Sequence, residues 1–226
     1  MGRMQRRPFL AALAVLVAPA ARAAGLTESD ATRGVRAALE RGASSAVSLL
    51  GRTDGFLGNP QVRIRLPEAL ETAAHWLKLA GQSHRVDELV TAMNRAAEAA
   101  VPQARTLLVN AVKTMSVEDA LRIVRGGDTS VTEFFAAKTR EPLSVRFRPI
   151  VDRATERVSL ADKYNAVAGQ AAGFGLVKQE DANIQQYVTR KALDGLYFMI
   201  GEEEKKIRRD PVGTGSAILE KVFGIR

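Results

Sequence analysis

The stretch NIQQYVTRKALDGLYFMIGEEEKKIRR, Asn183 to Arg209, decides the fold. Its second half sets Leu193, Leu196, Tyr197, Phe198, Met199 and Ile200 all round a helical cylinder. A helix apolar on every side belongs in the middle of a bundle, so this is the expected central helix. Gly195 inside it costs about 1 kcal/mol relative to Ala, which predicts close approach of a neighbouring helix at that point. Beyond Gly201, Glu202 with Lys206 and Glu204 with Arg208 stand at i,i+4 in the favourable order, and the charged run reads as a solvated end.

The rest of the chain agrees with a helical reading. Of 226 residues 46% are hydrophobic, ample for one substantial core, and only 5% are aromatic. An alanine-rich, aromatic-poor chain favours helix over sheet. There is no cysteine, which removes disulfides, thiolate catalysis, zinc fingers and iron–sulfur clusters together.

The N-terminus reads as an export signal. Arg3, Arg6, Arg7 and Arg22 stand in residues 1–23 without an acid, an apolar run extends from Phe9 to Ala21, and Ala21-Arg22-Ala23 is a small-x-small site. A run this short falls below the roughly 20 residues a bilayer span needs, so cleavage near Ala23/Ala24 is expected, with no stable membrane span afterwards. Arg6-Arg7-Pro8-Phe9-Leu10 also fits the twin-arginine pattern, although an ordinary secretory signal with a charged start gives the same residues. The formal charge of +8 falls to +4 once those four arginines are gone. The basic character is therefore partly a targeting feature, and the expected location is the periplasm.

Along residues 24–226, read as a single domain, helices alternate with turns. Val35, Leu39, Val47 and Leu50 mark the first helix, ended by Gly51. The glycine- and proline-containing stretch 51–66 is the one extended loop; in it Val62, Ile64 and Leu66 share one side, and Arg63 and Arg65 point away to solvent or to an anion. Pro67 opens a further helix, Ser83 to Val101 supplies another, and Pro102 restarts the next. Ser116 to Asp119 resembles a capping box, and Asp128 is the expected cap of a helix through Thr139. Glu141 to Val158 and Ser159 to Phe174 continue the series. The expectation is an all-α, single-domain multi-helix bundle of about nine or ten helices.

Few chemistries find material. His75 and His84 lack metal-ligand spacing, so no metal is expected. There is no G-x-S-x-G elbow, and no Ser or Thr is followed three residues later by Lys. No cofactor motif is present and no catalytic residue is assigned. The basic stretch from Lys138 to Lys163 is interleaved with four acids, which argues against nucleic acid. Arg208 to Ser216, RRDPVGTGS, lacks the lysine and the preceding strand of a phosphate loop; it reads as a reversal that folds Ile218, Leu219, Val222 and Phe223 back onto the bundle.

Two polar groups among apolar neighbours are candidate ligand-binding residues. Asn94 and Arg95 either line a pocket or, respectively, bond a loop carbonyl and snorkel to water. Tyr187, Lys191 and Asp194 fall on one helix face at i, i+4 and i+7, as a head-group site or a structural pair. With Arg63 and Arg65 they complete the candidate set.

The stretches DGFLGNPQVRIRLPE, MNRAAEAAVP and YVTRKALDGLYFMIGEEEKKIRRDPVGTGSAILEKVFG together resemble an exported bacterial domain-of-unknown-function family, DUF4197, from about Leu26 to Arg226. The resemblance implies an all-helical secreted or periplasmic protein and no activity. The leading expectation is a non-enzymatic periplasmic protein that binds a hydrophobic or amphiphilic small molecule, or docks on an envelope partner. The alternative is an enzyme with an acid–base site around Tyr187, Lys191 and Asp194.

Overall fold

A 26-residue helix, α8 (Ile184–Arg209), forms the axis of the computed structural model, which describes residues 28–175 and 177–210. The Asn183 side chain caps it, its Oδ1 accepting the N–H of Gln186. Around it are α1 (Glu28–Leu50), α2 (Glu68–Leu79), α3 (Ser83–Ala100), α4 (Ala104–Lys113), α5 (Val117–Arg125), α6 (Ser130–Thr155) and α7 (Ser159–Gly173). α8 packs on α1, α3, α6 and α7, so the central-helix reading holds. Met199, Tyr197, Leu193, Leu196 and Ile200 are buried, and Phe198 alone of the apolar run stands partly out. No helix among the described residues is long and apolar enough to cross a membrane.

The all-α class is as expected, and the helix count is not. The described residues hold eight α-helices and two single 3-10 turns, at Val101–Gln103 and Gln179–Asp181. The expected C-terminal helix and reversal beyond Asp210 lie outside the described residues, as does the N-terminal signal. Within them, the break expected at Glu141-Pro142 does not occur: α6 runs straight through Pro142 and Pro149.

Packing explains why two prolines fail to end it. Val131, Phe135, Thr139, Leu143, Phe147, Val151 and Thr155 are all buried at a constant spacing of four. Each proline costs about 3 kcal/mol or more inside a helix, whereas burying Leu143, Phe147 and Val151 returns about 1.5–3 kcal/mol apiece. Both prolines face solvent, where water satisfies the carbonyls they release. A spacing of four also advances the stripe by roughly 40° per step, so it winds round the helix and meets several neighbours, chiefly α8 and α3.

Of the sequence expectations about helix ends, one holds and two change. The Ser116–Asp119 capping box forms, with Ser116 Oγ accepting from Asp119 N and Asp119 Oδ2 accepting from Ser116 N. Asp128, however, does not cap α6. Its first turn is served from α8: Glu204 accepts the N–H of Val131 at 3.2 Å, and Arg208 bonds both Glu204 and Ser130 Oγ. The Glu204–Arg208 pair is consequently buried, not the solvated pair expected, and burial pushes the Glu204 carboxyl up while Arg208 and Val131 pull it down.

Gly195 is needed, but for a different neighbour than expected. The close approach is the ring of Phe56, from the 51–66 segment: a Cβ at residue 195 would lie 2.7 Å from Phe56 Cε1 and 3.3 Å from Val62 Cβ. Phe56 is wholly buried and has little room to yield. Gly195→Ala should therefore destabilise the protein by about 1–3 kcal/mol through overpacking, although Ala is the better helix former. Urea unfolding at constant m-value measures it, and equal or greater stability would show that the ring moves freely.

Candidate functional site

The loop that fills the notch at Gly195 has no ladder partner, so its backbone polar groups need side chains. α3 supplies them from two positions one turn apart. Asn94, 0% exposed, accepts the N–H of Ile64 at 2.8 Å and donates Nδ2–H to the Ile64 carbonyl at 2.9 Å, reproducing with one amide what a neighbouring strand would give. Glu98, 5% exposed, accepts the N–H groups of Phe56 and Leu57 at 3.0 and 3.1 Å through one oxygen. Its other oxygen takes Arg95 at 2.6 Å, and Arg95 reaches Asp54 at 2.9 Å. Asp54 has a φ of 64°, a left-handed conformation that Asp tolerates better than most residues.

Asn94 and Arg95 are thus a clamp on the loop, not lining for a pocket. Asn94 does bond a loop carbonyl, whereas Arg95 is held by two acids in place of water alone. Sequence reasoning passed over Glu98, although a Glu one turn from Asn94 in an otherwise alanine-rich face was the visible signal.

Clamped in this way, residues 63–66 leave a turn and run beside α8, and the side chains alternate as expected: Val62 and Ile64 inward, Arg63 and Arg65 exposed. Between this segment and α8 lies an open groove of about 690 Å³. Five of the seven candidate residues line it: Arg63, Arg65, Tyr187, Lys191 and Asp194. A neighbouring groove of about 590 Å³, toward α2, shares Arg63, Arg65, Leu66 and Glu71. The side chains of Arg63 and Arg65 have no hydrogen bond or ion pair among the described residues.

The three α8 residues share the groove without forming an acid–base set. Tyr187 donates its hydroxyl to the Arg65 carbonyl at 3.0 Å, tying segment to helix, and burial first, then Asp181, pushes its pKa up to about 12. A phenol held protonated to that degree is no proton acceptor near neutrality. Asp194 pairs with Arg140 at 3.0 Å and not with Lys191, whose ammonium sits 5.8 Å from the Tyr187 ring centre. Arg190 is paired with Asp181. The rims carry five cations (Arg63, Arg65, Lys178, Arg190, Lys191) and five anions (Glu68, Glu71, Glu180, Asp181, Asp194), above an apolar strip that includes Val62, Leu66 and Phe198. Among the described residues no cluster of three His, Asp or Glu side chains is placed to hold a metal.

A family model described as a protein of unknown function, DUF4197, matches residues 25–224. The chain belongs to that family. No curated protein matches it, and no solved structure does. The family brings no residue roles with it, so the site of this DUF4197 protein rests on its own geometry.

Tyr187 gives a pH signature. Its folded pKa lies above the unfolded value of about 10, so the stability it contributes is complete below pH 10 and is lost as pH rises toward about 12. Denaturation between pH 9 and 12 should show a steeper loss for the wild type than for Tyr187→Phe. Identical pH slopes would mean that the hydroxyl is not held as described.

Proposed function

We propose that this DUF4197 protein is an exported, non-enzymatic binding protein of the periplasm, freed of residues 1–23, and that an amphiphilic small molecule lies in the groove between residues 61–66 and α8. The observation that carries the reading is the convergence on one open groove of an apolar strip, ending in Phe198 at 40% exposure, with charged rims of both signs. A volume of about 690 Å³ is within the range of small-molecule sites. The large core side chains, among them Phe56, Met93, Phe135 and Phe147, are buried and packed together, which favours this surface groove over a cavity between helices. Export is supported by the charged start, the short apolar run and Ala21-Arg22-Ala23.

Arg63 and Arg65 are the residues to vary, since both are exposed and unpaired and the fold does not depend on them. Protein purified natively from the periplasm should carry an amphiphile detectable by mass spectrometry. Arg63→Glu with Arg65→Glu should weaken its binding about tenfold, the effect of losing about 1.4 kcal/mol of contact, and so lower the amount retained, with an unchanged melting point. Retention of the same ligand by the double variant would exclude the groove. A protein partner captured in place of a ligand would favour docking on the envelope.

A further inference from the structure

Along α8 toward α6 is a second groove of about 420 Å³ that none of the seven candidate binding residues lines. Its charged lining is Arg140, Arg148 and Arg190 against Glu141, and each arginine is also paired with an aspartate beside the groove, Asp194, Asp152 and Asp181 respectively. Ser144, Gln186 and Thr189 add hydroxyl and amide groups.

Two polar atoms here are buried and unsatisfied. Thr189, 3% exposed, has a hydroxyl with no hydrogen-bond partner among the described residues, although a helical Thr can bond the carbonyl one turn back. Arg190 Nε is likewise buried without a partner among the described residues. Such groups are rare because each costs about 1–3 kcal/mol, and a ligand-binding role is one of the few explanations.

The arginines are positioned and not exhausted. Arg140 gives Nη1 to Asp194, Arg148 gives Nε to Asp152 at 2.7 Å and Nη2 to Asn183 at 3.5 Å, and Arg190 gives Nη2 to Asp181. Those bonds use one or two of the five N–H groups on each guanidinium and hold the forks in place. The N–H groups left over on the three forks suit a ligand whose oxygens only accept.

We propose that the α6–α8 groove binds a phosphate group, held by Arg140, Arg148 and Arg190 and by a hydrogen bond from Thr189. The volume exceeds that of a lone phosphate and admits one carried on a larger molecule. Two sources share this chemistry, a small soluble phosphate and a phospholipid head group. Arg190 lines the amphiphile groove as well, whereas Arg140, Arg148 and Thr189 line only this one of the two.

The test uses the mature chain as wild type, Thr189→Val and Arg148→Gln, titrated with inorganic phosphate against chloride at equal ionic strength and followed by 31P line width and thermal unfolding. Vesicles of phosphatidic acid in phosphatidylcholine, against phosphatidylcholine alone, form the second arm. Thr189→Val should melt no lower than the wild type without phosphate, because it removes an unsatisfied hydroxyl and keeps the shape. Both variants should bind about tenfold more weakly than the wild type. Binding of free phosphate that the variants weaken supports a soluble ligand; binding only to phosphatidic acid vesicles, weakened in the same way, supports the head group. A wild type that responds to neither probe, or variants that bind as well as the wild type, overturns the proposal.

Discussion

Backbone N–H and C=O groups that leave regular structure must still be paired when they are buried, and residues 51–66 meet that constraint by borrowing side chains from α3. Asn94 pairs both polar groups of Ile64, and Glu98 gathers the N–H groups of Phe56 and Leu57. The loop can then enter the core as a strand would, without a sheet to join. Phe56 reaches Gly195, Val62 and Ile64 close over α8, and Arg63 and Arg65 are left on the outside. Without the clamp, either those amides remain buried and unpaired or Phe56 withdraws, and in both cases one wall of the first groove is lost.

The same economy recurs at the other end of α8. There Glu204, carried on the central helix, serves the first turn of α6, and Arg208 ties the carboxylate to Ser130 and to the carbonyl of Ile123. Charges that look like surface decoration in the sequence are thus joints between helices. The pattern leaves α8 fixed at both ends and lined by two grooves along its middle, with Arg190 on both of them and the Arg140–Asp194 pair joining their walls.

What could be read in advance followed from local rules. The all-round apolar half of α8, the Ser116–Asp119 capping box and the in–out alternation of Val62, Arg63, Ile64 and Arg65 depend on spacing alone, and each is present. What could not be read depends on distant partners. Pro142 and Pro149 look like breaks until the buried stripe from Val131 to Thr155 is seen to outweigh them. Gly195 signals a close contact without saying that its neighbour is Phe56, far away in the chain. Arg63, Arg65, Tyr187, Lys191 and Asp194 were legible as separate candidates, and only the clamp by Asn94 and Glu98 brings them to one groove. The α6–α8 groove showed only as part of the basic stretch Lys138 to Lys163, since its third arginine comes from another helix and its orphan hydroxyl belongs to an ordinary-looking Thr189.

The central claim is that residues 51–66 are part of the core by virtue of α3, and native-state amide hydrogen exchange tests it most directly. If Asn94 and Glu98 hold the segment as described, the amides of Phe56, Leu57 and Ile64 open only with the whole molecule, with the same exchange free energy as Leu196 in the middle of α8. If those three exchange as a free loop while Leu196 stays protected, the clamp does not hold the segment, and the first groove loses its wall.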